Sequence, residues 1–249
     1  MTKATRSMLS LLFCATALVA ATPGEAEDAV LVSSTVERYV PGSVISDSQT
    51  LALPTGASAT LLFRSGDIVR LKGPFEGRLD AVRPEAAPSG AEGLVQALRG
   101  QGVAATVIGA TRGFTAPSAR TAMAGAPVNV DVRSSAIYCV GPTDTLWLRS
   151  SSVVDGVIRL RRGRTLREVA WPEGAGRVEW PSDIMVEDGD RFEVVDNKGA
   201  AVATMIFHRL DPSSSANAWI AASLLSGCRS QAEPALRELA RELEKSAGN

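Results

Sequence analysis

RLRRGRTLR, residues 159–167, places five arginines within nine positions. A guanidinium presents a planar fork of donors that matches carboxylate and phosphate oxygens. Arg159, Arg161, Arg162, Arg164 and Arg167 are therefore candidates for holding an anionic envelope polymer, a polysaccharide or the phosphates of lipopolysaccharide. The alternative is a solvated strand face balanced by acidic loops. Trp171 and Trp180, just downstream, each precede a proline. Exposed, such edges bind extended peptides or sugars; turned inward, they are core residues at strand ends.

Other chemistry finds few residues to carry it. His208 is the single histidine, whereas a metal site needs several matched ligands. VEDGDRF brings together Glu187, Asp188 and Asp190, but it lacks the alternating oxygens and terminal Glu of an EF-hand loop and reads as an acidic turn. There is no G-x-S-x-G elbow, no S-x-x-K and no Gly-rich phosphate loop after a strand. No catalytic, cofactor-binding or metal residue is assigned, and the protein is read as non-enzymatic. An enzyme would need scattered Asp, Glu and Arg to converge on a cleft with paired carboxylates.

The compartment follows from the first residues. Lys3 and Arg6 precede MLSLLFCATALVAA, an apolar run too short to span a bilayer but suited to a secretory leader. Cleavage is expected after Ala21 or Ala26, giving a signal peptide over 1–26; retention as a membrane tether, or lipidation at Cys14, are the alternatives. No later stretch is apolar enough for a transmembrane segment. Arg outnumbers Lys 22 to 4, a bias that hints at a GC-rich bacterial genome and a periplasmic location. The 26 basic and 27 acidic residues nearly cancel, which argues against nucleic-acid binding. Beyond the leader only Cys139 and Cys228 remain, and an oxidising compartment favours a disulfide between them over two buried thiols.

Residues 27–80 alternate in the manner of short strands. Leu51 and Leu53, then Ala59, Leu61 and Phe63, then Val69 and Leu71 each share one face, and PTGAS, RSGD and KGP supply the turns. AVLVSSTVERYVPGSVI adds one or two strands upstream. This meander is expected to bury one face and leave Thr60, Arg70 and Lys72 pointing outward.

Gly42-Ser43, QTLALPTGA over 49–57, Leu61–Phe63, Ser65–Asp67 and LKGP over 71–74 together resemble the FecR-like domain, a small all-β module of bacterial envelope proteins. GATRG at 109–113 is similar to the stretch found after that module in some exported proteins. The resemblance implies a periplasmic protein-interaction role and carries no site residue. FecR itself joins a cytoplasmic sigma-factor-contacting segment to a membrane span, and a chain opening on a secretory leader departs from that design.

Residues 81–126 are rich in Ala, Pro, Gly and Ser and read as a linker, with a short helix over AEGLVQALRG. From 127 to 211, VNVDV, AIYCV, TLWLR, VIRLR, RVEW, RFEVVD and AVATMIFHRL are strands at the spacing of an immunoglobulin-like or fibronectin-like sandwich. A hairpin turns at Asp196–Gly199, with Ala201, Ala203, Met205 and Phe207 on one face. Over 212–249 serines 213–215 cap a helix ending near Cys228, and a second helix begins at Pro234 with Leu236, Leu239 and Leu243 as its stripe. The expected fold is mainly β: a small N-terminal meander, a sandwich-like domain and a C-terminal helical hairpin. The expected role is a scaffold, sensor or accessory protein whose partner is another envelope protein, with polymer binding through the arginines as the second reading.

Overall fold

The computed structural model describes residues 28–82, 105–108, 127–152, 154, 156–212 and 215–247. The leader, the helix expected over 91–100 and the GATRG stretch lie outside them. The described chain is mainly β, as its alternation predicts.

Strands β1 (Ala29–Ser34), β2 (Val44–Ile45), β3 (Thr50–Leu53), β4 (Ser58–Phe63), β5 (Ile68–Lys72) and β6 (Phe75–Arg78) build the N-terminal unit, followed by a 3-10 turn at Leu79–Val82. An antiparallel sheet runs β2-β1-β4-β5-β7, and β3 pairs with β6 separately. The fifth strand, β7 (Ala105–Ile108), pairs with β5 from within the segment that composition assigns to linker. Leu31, Leu51, Leu61, Phe63, Val69 and Leu71 fill the core on one face.

The other face is covered as well. Val30, Val32, Leu62 and Ile68 are buried against Ile220, Leu224, Leu236, Leu239 and Leu243 of the C-terminal helices. Thr60, expected to point outward, is only 2 % exposed. The alternation in β4 hides this arrangement, because Leu62 follows Leu61 and only a residue remote in sequence decides whether the second face is wet.

Eight strands form the second unit: β8 (Val128–Asp131), β9 (Ala136–Val140), β10 (Leu146–Arg149), β11 (Gly156–Arg162), β12 (Thr165–Trp171), β13 (Arg177–Glu179), β14 (Arg191–Val195) and β15 (Ala201–Arg209). They make a three-stranded sheet, β13-β10-β8, and a five-stranded one, β12-β11-β14-β15-β9. β10 runs parallel to β8, and β15 parallel to β9. The sheets share one core, centred on Phe207. Its ring lies 5.3 Å from Trp180, 5.7 Å from Phe192 and 5.7 Å from Tyr138, an aromatic cluster whose edge-to-face pairs add to simple area burial.

Helix α1 (Ala216–Leu225) starts where the serines predict: the Ser215 hydroxyl accepts the Ala218 N–H at 3.1 Å. Helix α2 (Arg229–Ala247) begins five residues before Pro234. Proline at this position withholds a single N–H close to the helix start, and Cys228 initiates the helix instead, its carbonyl accepting from Gln231 and Ala232. Leu236, Leu239 and Leu243 form the buried stripe as expected.

The β4–β5 turn abuts α1. Gly66 adopts φ +91°, and a Cβ there would sit 2.6 Å from the Ser215 Oγ and 2.9 Å from the Ala218 nitrogen. Gly66→Ala is expected to destabilise by about 1–3 kcal/mol through backbone strain and displaced helix contacts. Thermal denaturation followed by circular dichroism measures this, and an unchanged midpoint would contradict the contact.

Candidate functional site

The arginine-rich hairpin is formed by β11 and β12, turning at Gly163 and Arg164. Ile158 and Leu160 enter the core and Arg159 and Arg161 lie on the solvent face, as alternation requires. Each of the four strand arginines meets carboxylates of this same chain. Arg159 Nε donates to Glu168 at 2.9 Å and its Nη1 to Asn197 at 2.6 Å. Arg161 Nε donates to Glu193 at 2.9 Å, and Nη1 to the Gly199 carbonyl. Arg162 reaches Asp190 at 2.6 Å and Glu187 at 3.2 Å, while Arg167 meets Asp183 at 2.6 Å. Only Arg164, in the turn, has no such partner among the described residues. The Arg161 guanidinium holds the Glu193 carboxyl below the usual carboxylate range. The ridge is thus a ladder of compensated charge, and solvated pairs of this kind contribute little to stability.

Trp171 and Trp180 do not join that surface. They are 3 % and 7 % exposed and face the sandwich core. Each indole N–H turns back on its own loop: Trp171 donates to the Ala175 carbonyl at 2.7 Å and Trp180 to that of Ile184 at 2.9 Å. Both loops close by the same bond, Ala175 N–H to Pro172 O and Ile184 N–H to Pro181 O. WPEGA and WPSDI are therefore one structural device used twice, and that repeated spacing is the signal in the sequence that marks the prolines as turn formers.

His208 Nδ1 lies 3.3 Å from Asp188 Oδ1, which also accepts the Arg209 N–H at 3.0 Å. The pair lines a cleft of about 430 Å³ with Arg64, Asp211 and Ser226. The Arg209 N–H foremost, and His208 after it, hold the Asp188 carboxyl below the usual range. A depressed folded pKa stabilises above the unfolded value and loses that contribution as pH falls through the folded one. In an NMR titration Asp188 is expected to protonate below an ordinary aspartate, and in His208→Ala to move upward while remaining low. An ordinary value in both proteins would contradict the bonding. The acidic loop closes on itself: Asp190 accepts the Glu187 N–H at 2.8 Å and pairs with Arg162. Among the described residues no group of three His, Cys, Asp or Glu is placed to hold a metal ion.

Cys139 of β9 is bonded to Cys228, between the two helices, with their Cα atoms 5.8 Å apart. Gln231 reinforces the junction: its Oε1 accepts the Cys139 N–H at 2.7 Å and its Nε2 donates to the Cys139 carbonyl at 2.9 Å. One side-chain amide thus stands in for a neighbouring strand on the free edge of β9.

Beside that edge lies a second cleft, about 470 Å³, bounded by β8, β9 and both helices. Asn129, Asp131, Tyr138, Asp144, Arg149 and Trp219 contribute to its walls. The Tyr138 hydroxyl accepts the Asp131 N–H at 2.9 Å, and burial pushes the phenol above its ordinary pKa. Burial likewise raises the Asp144 carboxyl, partly offset by the Gly141 N–H at 2.7 Å. The sequence marks none of these residues, because their proximity depends on the sheet edges and the helical hairpin meeting.

The class defined is a mainly β protein of two sheet-built units, whose C-terminal hairpin covers the first and is disulfide-bonded to the second. No family model, curated protein or solved structure matches the chain.

Proposed function

We propose that this is an exported protein of the bacterial envelope, non-enzymatic, acting by protein contact as a scaffold, sensor or accessory protein, with its N-terminal unit serving in the manner of a FecR-like module. One surface carries the reading. The edge strand β12 has no neighbour on its outer side among the described residues, and its Leu166, 50 % exposed, lies on the same sheet as Val157, 45 % exposed. Apolar side chains beside an open strand edge suit association with another protein. The compensated arginines and inward tryptophans weaken the polymer reading, since polyanion binding needs uncompensated positive charge. Among the described residues no helix is long and apolar enough to cross a membrane.

Crosslinking in the native envelope, followed by pull-down and mass spectrometry, tests this. An Arg159/Arg161/Arg162/Arg164-to-Ala variant is run in parallel. A specific protein partner retained by the variant is the expected result. Recovery of glycan or lipopolysaccharide instead, lost in the variant, would replace it with polymer binding.

A further inference from the structure

We propose that β12 pairs with β12 of a second copy of this chain, antiparallel and centred on Leu166, so that the two five-stranded sheets run on as one. The inference rests on the protein-contact reading and names the occupant of the edge that carries it.

The hairpin fixes which backbone groups of β12 are free. Arg162 and Thr165 are aligned across a turn made of Gly163 and Arg164 alone, and a pair closing so short a turn exchanges both of its bonds. Alternation does the rest. Thr165, Arg167, Val169 and Trp171 turn their N–H and C=O to β11, whereas Leu166, Glu168 and Ala170 turn theirs to the open side. None of those three has a backbone partner among the described residues. The register with β11 runs without a bulge and the strand has no proline, so nothing in β12 itself blunts the edge. At the other edge of the sheet Gln231 satisfies the Cys139 N–H and carbonyl; β12 has no such cover among the described residues.

The side chains select the occupant. Arg164, Leu166 and Glu168 are alternate positions that read positive, apolar, negative. An antiparallel partner reads them in reverse, so an identical strand with Leu166 opposite Leu166 sets each Arg164 opposite the second copy's Glu168. Both charges are available for this. Arg164 is the hairpin arginine without a carboxylate among the described residues, and Arg159 takes only Oε1 of Glu168, whose side chain is 60 % exposed. Leu166, 50 % exposed, meets its counterpart at the two-fold axis, which removes both side chains from water. Moving the axis to Arg167 or Glu168 would set like charges face to face. One strand edge makes a small interface, so association in the micromolar range is expected.

Sedimentation equilibrium of the whole disulfide-bonded protein, from micromolar to millimolar concentration, tests this with Arg164→Glu and Glu168→Arg. Each variant alone places like charges opposite at both ends and should associate about tenfold more weakly than the parent. Both should keep the parent melting temperature, because exposed pairs contribute little to folding. Arg164→Ala only withdraws an attraction and should weaken association far less. Mixed in equal amounts, the two reversed variants should regain the parent's affinity as a heterodimer, since one copy then presents only carboxylates at these positions and the other only guanidinium groups. A parent that stays monomeric, a reversed variant that self-associates as well as the parent, or a mixture no tighter than its components overturns the proposal. A monomeric parent whose Leu166→Lys variant loses an envelope protein captured by crosslinking would remove self-pairing and leave the protein-contact reading in force; a dimeric parent that crosslinks to no other envelope protein would do the reverse.

Discussion

The Cys139→Ser/Cys228→Ser protein is expected to lose about 4.6 kcal/mol of stability relative to the parent, the loop-entropy value for a bridge closing so long a loop. The linked residues are 89 apart, and the loop between them holds most of the sandwich and all of α1. Opening it returns a large freedom to the unfolded chain, whereas the native contacts of Leu210, Ile137 and Trp219 around the sulfurs persist. Urea unfolding of the parent, the double variant and the reduced parent measures the effect. The two proteins lacking the bridge should share a midpoint well below that of the parent. Coincident midpoints for all three would mean that Gln231 and the apolar contacts already hold the junction.

Leu62→Ala is expected to cost about 3 kcal/mol, within the 2–5 range for emptying a packed leucine site. Leu62 is fully buried, in the layer between the N-terminal sheet and the helices. Lys72→Ala, at an exposed position of the same sheet, is the control and should lie within about 0.5 kcal/mol of the parent. Urea unfolding read by sheet and helix signals together checks both. The two signals should shift together in Leu62→Ala, because the side chain serves both layers. A shift no larger than that of the control would show that the helices do not depend on this contact.

Much of the fold could be read from alternation and turn residues. The strand and turn positions over 49–79, the Asp196–Gly199 hairpin, the Ser215 cap and the Cys139–Cys228 bridge are all set by local chemistry or by counting, although β3 pairs with β6 around the β4–β5 hairpin and not with β4 as a simple meander would have it. Three features escaped because they are not local. β7 lies in Ala- and Pro-rich sequence and becomes a strand only by pairing with β5. β12 carries no strand signal of its own, since four of its seven residues are exposed in succession. Thr60 and Leu62 share a face whose burial is decided by α1 and α2, more than 150 positions away. The candidate site followed the same division. Arginine spacing places Arg159 and Arg161 on one face, but the carboxylate partners of the arginines come from β12, β14 and the loop before β14. The cleft lined by Asp131, Tyr138, Asp144 and Arg149 could not be read at all, because its walls come from strands and helices far apart in sequence.

The covering of β1 and β4 by α1 and α2 has a consequence for the order in which the molecule can be made. Arg229 bonds the Gly42 carbonyl across 187 positions, and Arg70 bonds that of Leu243 across 173. A ribosome delivers the N-terminal sheet first, yet one side of that sheet remains apolar and bare until the final helices emerge. Contacts so distant along the chain close slowly, so the sheet delivered first is among the last parts of the molecule to be finished.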